Sequence, residues 1–304
     1  QDSVVFTNRI FDFEYFASPI PGFFTQYTQT SVDAPWRESG NDNSIMGFFG
    51  EYGAPGRQIA AQLLIDDANS NFIFNPDGAQ NPFKIAWMIS GALDTEVGRF
   101  RFDHAGATKY TFQPAGGPGY LVPYGYTYIP DTAYESAGET RAIANEENSI
   151  GYLYGENNLA FRLGWEHAVP LPAGRGGTES QLLNLAAALE YRVSGSKSPA
   201  NPWHDFLWYT EGGQGTRLLD EEVLEHRLLL TLAAGGRLES VLPEVLQPSL
   251  LLELTGGFVA NPLALRDPVL NVGARENRAP IYSPTSGVEP VFAATLTLSL
   301  GIEP

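Results

Sequence analysis

Residues 290–303 read PVFAATLTLSLGIE. In an extended chain, side chains alternate between two faces. Phe292, Ala294, Leu296, Leu298, Leu300 and Ile302 therefore form one apolar side, and Ala293, Thr295, Thr297, Ser299, Gly301 and Glu303 form a small, polar one. A typical strand has about five or six residues. This alternation runs for roughly twice that and reaches the ~9–11 residues that a tilted strand needs to cross a bilayer. A covered strand in a soluble sandwich alternates in the same way. What decides between the two is how often the pattern recurs.

It recurs along most of the chain. Ser44–Tyr52 and Arg57–Asp66 are expected to form a hairpin across Gly53-Ala54-Pro55-Gly56, with Ile59, Ala61, Leu63 and Ile65 on one face. Phe83–Leu93 alternates Phe83, Ile85, Trp87 and Ile89 against Lys84, Ala86, Ser90 and Ala92. Glu96–Asp103 sets Phe100 and Phe102 against Arg99, Arg101 and Asp103, and Ala107–Phe112 continues or re-pairs it. From Asn158, Leu159, Phe161, Leu163 and Trp165 oppose Ala160, Arg162, Gly164 and Glu166. Residues 183–194, 225–234 and 249–258 repeat the pattern, with Glu190, Arg192 and Glu253 on the polar side. Further strands are expected at Arg9–Phe16, Gly22–Thr30 and Pro268–Arg275.

Composition narrows the class. The 304 residues carry 18 basic and 35 acidic side chains, a net charge of −17. That argues against nucleic acid, which needs clustered Lys and Arg, and against basic anchoring on anionic lipid. With no cysteine, disulfides and thiolate metal sites are excluded. The 32 Gly, 22 Pro, 14 Tyr and 18 Phe point to turns and aromatic strands. No apolar run reaches the ~18 residues of a membrane helix, and no leader pattern opens the chain at Gln1. Barrel strands, however, conceal their apolar side by alternating it with a polar one.

Three features favour a barrel over a sandwich. The alternating segments are long. Tyr52, Trp165, Tyr191, Trp203, Trp208 and Tyr209 lie near segment ends, where interfacial girdles form. Short connections (Gly53–Gly56, Asp94–Thr95) alternate with long ones (Asp67–Asn81, Gln113–Ser149, Gly195–Glu222). The expectation is an all-β fold: one antiparallel transmembrane β-barrel over residues 1–304, of about 12–16 strands, with short periplasmic turns and long outer loops. Arg99, Arg101, Arg162, Glu166, Glu190, Arg192 and Glu253 then line its lumen.

Catalytic motifs are lacking. His104, His167, His204 and His226 have no ligand-like spacing, and no nucleophile elbow, Walker loop or His-Glu-x-x-His occurs. His104 and His226 are the only mid-strand candidates for a barrel hydrolase. Residues 66–71, DDANSN, offer clustered oxygen side chains, but Phe72 stands where a calcium loop needs Gly. Strand-end carboxylates that cap loop amides are the simpler reading. Ala173–Gly177 is a flexible glycine loop. Tyr120, Tyr124, Tyr126 and Tyr128, with Trp87 and Lys109, offer rings that stack on sugars, or an interfacial girdle.

The order of several segments resembles the capsule-assembly Wzi-like family of outer-membrane barrels. They are Asn41-Asp42-Asn43, residues 62–67 (QLLIDD), Lys84-Ile85-Ala86-Trp87 leading to Gly91, Tyr110, residues 123–128 (PYGYTY) and residues 150–158 (IGYLYGENN). The likeness covers about residues 40–165. It implies a barrel of roughly eighteen strands that retains surface polysaccharide, with Asp66, Asp67, Trp87, Tyr124, Tyr126 and Tyr128 as ligand-binding positions. The chain departs from the family in its shorter length and in ending Gly301-Ile302-Glu303-Pro304 without a terminal aromatic residue.

The expected function is non-enzymatic: binding or assembly of surface polysaccharide in the outer membrane of a Gram-negative-type bacterium. No cofactor and no metal is expected. The expected partners are membrane lipid, surface polysaccharide and the outer-membrane assembly machinery. The alternatives are a passive porin-type channel for small solutes and a soluble β-sandwich adhesin.

Overall fold

The computed structural model describes residues 2–5, 16, 19, 43–67, 83–109, 111, 133–136, 139–142, 154–170, 182–197, 218–237, 246–265 and 282–302. They are nearly all antiparallel strand. In chain order these are β1 (Asp2–Val5), β2 (Asn43–Ala54), β3 (Arg57–Asp67), β4 (Lys84–Thr95), β5 (Gly98–Ala107), β6 (Ala133–Ser136), β7 (Glu139–Ala142), β8 (Asn158–Pro170), β9 (Leu182–Ser194), β10 (Glu225–Arg237), β11 (Leu246–Ala260), β12 (Leu263–Leu265), β13 (Tyr282–Pro284) and β14 (Val288–Ile302).

Ten strands form one sheet in the order β1-β2-β3-β4-β5-β8-β9-β10-β11-β14, and β6–β7 and β12–β13 are separate two-stranded ribbons. Every pairing in the main sheet is antiparallel. The nine long strands extend from 10 residues in β5 to 15 in β11 and β14. At ~3.3 Å per residue each is long enough to cross a bilayer at a tilt.

Local chemistry sets the short turns. Pro55-Gly56 joins β2 to β3, with Gly56 at φ 71°, the region that glycine occupies without penalty. Glu96-Val97 joins β4 to β5, where the Thr95 hydroxyl donates to the Gly98 carbonyl at 2.7 Å. Gly98 sits at φ 124°, and a Cβ there would lie 2.5 Å from the Glu166 carbonyl oxygen, so no other residue fits. These turns share one end of the sheet with connections 171–181 and 238–245. The connections 6–42, 68–83, 108–157, 195–224 and 261–287 all leave from the other end.

The register joins the apolar sides into one face. Leu163 pairs with Phe102 and Leu189, Leu189 with Leu230, Leu232 with Leu254, and Leu252 with Leu296. A slip of one residue in any strand would turn its apolar set to the other side. No second layer among the described residues covers this face: Leu296, Leu298 and Leu300 are 67%, 62% and 59% exposed.

Among the described residues the main sheet has ten strands, against the 12–16 expected of the whole barrel, and it is not closed: β1 and β14 each pair with one neighbour. The segments expected as strands at 9–16, 22–30 and 268–275 lie outside the described residues, apart from Phe16. Of the segment 107–112, which was expected to continue or re-pair the strand, Thr108, Lys109 and Thr111 are not strand, and residues 110 and 112 lie outside the described residues. β5 ends at Ala107, where the Thr108 hydroxyl donates to the Phe83 carbonyl (2.8 Å) and accepts from the Ile85 amide (3.0 Å), and Thr111 N bonds back to Thr108 O. Side-chain oxygens satisfy the backbone there and stop the ladder.

Candidate functional site

Alternation and register together place Arg99, Arg101, Arg162, Glu166, Glu190, Arg192 and Glu253 on the face opposite the apolar one. Arg99 stands across from Asp94 and Glu166, Arg162 across from Asp103 and Glu190, and Glu253 across from Ala233 and Thr295. Between them the sequence supplies small residues. Gly164 pairs with Ala188, Ala188 with Thr231, and Ala186 with Ala233. They floor a concavity of about 120 Å3, rimmed by Arg101, Asp103, Arg162, Glu166 and Glu253. The Thr231 and Thr255 hydroxyls bond to each other at 3.0 Å beside it. Arg101 Nε lies 3.4 Å from Asp103, and Arg99 Nε 3.7 Å from Asp94. Arg162, Glu166 and Glu253 have no ion pair or side-chain hydrogen bond among the described residues. We call this charged hollow the shelf.

Toward the end with the long connections, the same face carries a buried network of ion pairs and hydrogen bonds. Arg192 Nη2 donates to Glu225 Oε1 at 2.6 Å, with both side chains buried, and Glu225 Oε2 accepts the Leu263 amide at 2.8 Å. The Arg192 guanidinium also lies 4.7 Å over the Tyr154 ring. Glu221 accepts from Lys109 Nζ (2.8 Å), Asn157 Nδ2 (2.9 Å) and the Ser196 hydroxyl (2.5 Å). Asn157 Oδ1 in turn accepts the Leu219 amide at 2.8 Å. Lys197 Nζ donates to the carbonyls of Tyr154, at 2.9 Å, and Glu156. Its backbone bridges to Tyr282, which ties β13 to the network.

Burial raises the Glu221 carboxyl, but the donors Lys109, Ser196 and Asn157 outweigh it and hold it below its ordinary value. Burial lowers the Lys197 ammonium to about 8. Burial, and then the Glu190 carboxylate, raise the Tyr154 phenol, which donates to Glu190 Oε1 at 2.9 Å.

On the apolar face a row of rings crosses β4, β5, β8, β9 and β10 near that same end. Trp87 Nε1 donates to His104 Nε2 at 3.0 Å, and His104 Nδ1 bonds the Ala160 carbonyl at 3.0 Å. His104 stacks on Phe161 at 4.3 Å, Phe161 on Tyr191 at 6.5 Å, and Tyr191 OH meets His226 Nδ1 at 2.8 Å. Near the short-turn end Trp165 stacks on His167 at 5.9 Å and donates to the Val97 carbonyl. Polar ring atoms in these rows find partners within the protein, as amphipathic rings do beside an apolar phase.

Of the six residues expected to bind ligand, Asp66 and Trp87 have described side chains. Trp87 sits in the aromatic row with its indole N–H engaged. Asp66 is the extra residue at the register shift between Ile65 and Asp67, buried with its carboxylate 4.0 Å from Lys84 Nζ. The Asp67 side chain and Tyr124, Tyr126 and Tyr128 lie outside the described residues, as do His204, Trp203, Trp208, Tyr209 and residues 173–177. His104 and His226 are apolar-face residues on β5 and β10.

The network of Asn157, Ser196, Lys197, Glu221 and Glu225 was not legible in the sequence, because two separate connections and the start of β10 supply it. The shelf did carry a sequence signal: a small residue, Gly164, stands between Arg162 and Glu166, and Ala186 and Ala188 precede Glu190. Comparison of this chain with known protein families, curated proteins and solved structures returned no match, so the resemblance to the capsule-assembly family gains nothing from them.

Proposed function

We propose that this chain is a non-enzymatic β-protein spanning the outer membrane of a Gram-negative-type bacterium, and that its polar face lines a passage for small hydrophilic solutes. One observation carries the reading: a single sheet with one continuous apolar face left exposed among the described residues, and an opposite face where Arg162, Glu166 and Glu253 stand without a partner among them on a floor of small residues. In water the apolar face is untenable. Leu163, Leu189, Leu230, Leu232, Leu252, Leu254, Leu296, Leu298 and Leu300 are all exposed. At roughly 1 kcal/mol for the exposed half of each, they alone forfeit about 10 kcal/mol, the size of a whole folding free energy. Lipid contact removes that cost.

The two rows of rings suit the two interfaces of such a bilayer. A shallow apolar groove of about 560 Å3, over Gly91 and Ala187 and between Phe100, Phe102, Leu163 and Trp165, suits an acyl chain. A passage requires β1 to meet β14. Direction alternates through the ten-strand order, so these two edges run antiparallel, as an even-stranded closure would require. Closure would also satisfy the open backbone edges, which hydrocarbon does not tolerate. Folding into the membrane then needs the outer-membrane assembly machinery.

A second reading, binding or assembly of surface polysaccharide, is favoured by one observation: the long connections all leave from a single end, beside a hydrogen-bonded network. Purified protein in planar bilayers separates the two. Steady single-channel current supports the passage, while retention of polysaccharide with no current supports the second reading. Extraction of the chain from cells without detergent would sink both.

A further inference from the structure

We propose that the shelf is the selectivity point of the passage and that it favours cations over anions; this rests on the passage reading above. The argument is one of unmatched charge. Three guanidiniums on the polar face already have a carboxylate: Arg99 has Asp94, Arg101 has Asp103 and Arg192 has Glu225. Around the shelf, the charged groups left without a partner among the described residues are two carboxylates, Glu166 and Glu253, and one guanidinium, Arg162.

The rung that holds Glu166 and Glu253 adds one acid and one base to them. Across the sheet it reads Asp94, Arg99, Glu166, Ala186, Ala233, Glu253 and Thr295, three acids to one base. The floor of Gly164, Ala186, Ala188 and Ala233 lets a solute come close to these groups instead of being held off by long side chains. A hollow of about 120 Å3 is narrower than the ~8 Å screening length at physiological salt, so the excess negative charge acts on whatever occupies it. The chain's net charge of −17 works in the same direction at longer range.

The test is the reversal potential of the protein in planar bilayers under a potassium chloride gradient. The unmodified protein should pass potassium several-fold over chloride. Glu166→Gln with Glu253→Gln should bring the ratio close to one, and Arg162→Gln should raise it. All three side chains are exposed and unpaired, so heat-modifiable gel mobility should show the variants folded. An unselective or anion-selective current, or a ratio that the double variant leaves unmoved, would overturn the inference while leaving the passage in place. If folded protein passes no current at all, the passage reading falls and takes this inference with it.

Discussion

Charged residues on the polar face occur in two settings a few residues apart along the same strands. On β9, Arg192 is buried and bonded to Glu225; on β8, Arg162 is exposed and alone. Toward the long connections every buried charge has a partner: Glu221 has three side-chain donors, and Lys197 has two carbonyls. At the shelf, water does that work. The difference follows from burial. A charge removed from water costs several kcal/mol unless it is paired and hydrogen-bonded, whereas an exposed one needs no partner. The network therefore holds the structure, and the shelf does not need its charges paired to fold.

The comparison breaks most readily at Glu225. Glu225→Ala leaves Arg192 buried without its carboxylate and should cost about 3–5 kcal/mol in urea unfolding from lipid vesicles. A loss below about 1 kcal/mol would mean that the pair is no anchor. The two faces can be set against each other next. Leu163→Arg puts a charge on the apolar side, one residue from the tolerated Arg162. If that side meets lipid, the change should cost about 2–4 kcal/mol at mid-membrane depth. An unchanged midpoint would place the face in water.

Titration sharpens the same contrast. Glu221 has a folded pKa below its ordinary value, so its contribution is present at neutral pH and is lost as pH falls through that lowered value. Glu221→Gln should flatten this acid limb. Lys197 has the opposite sense: its folded value of about 8 lies below the ordinary 10.5, the unfolded chain binds more protons between them, and stability should rise with pH across that window. Lys197→Met should abolish the rise. The smallest effects belong to the shelf, where Arg162→Gln, Glu166→Gln and Glu253→Gln should each shift stability by no more than about 0.5 kcal/mol.

Much of the sheet was legible in the sequence, and for a definite reason. A strand with one apolar side writes its period directly into the residue order. The segments expected at 57–66, 83–93 and 249–258 became β3, β4 and β11 within a few residues. The charged set from Arg99 to Glu253 shares one face because each member sits at an odd distance from its apolar neighbours. The continuation past Ala107 was misread because the Thr108 hydroxyl ends the ladder through Phe83 and Ile85, a contact across distant positions that no local pattern records. Asp66, expected at a ligand site, is drawn inward by the bulge beside it and by Lys84.

By itself the sequence determined the period, the side each residue takes and the placing of long and short connections, because these are properties of neighbouring residues. The tertiary structure alone decided which strands adjoin, and so which charges found partners: Arg192 meets Glu225 from another strand, and Glu221 meets Lys109 from a connection more than a hundred residues away. Pairing at that range depends on strand order and register, which are settled only when the whole sheet assembles.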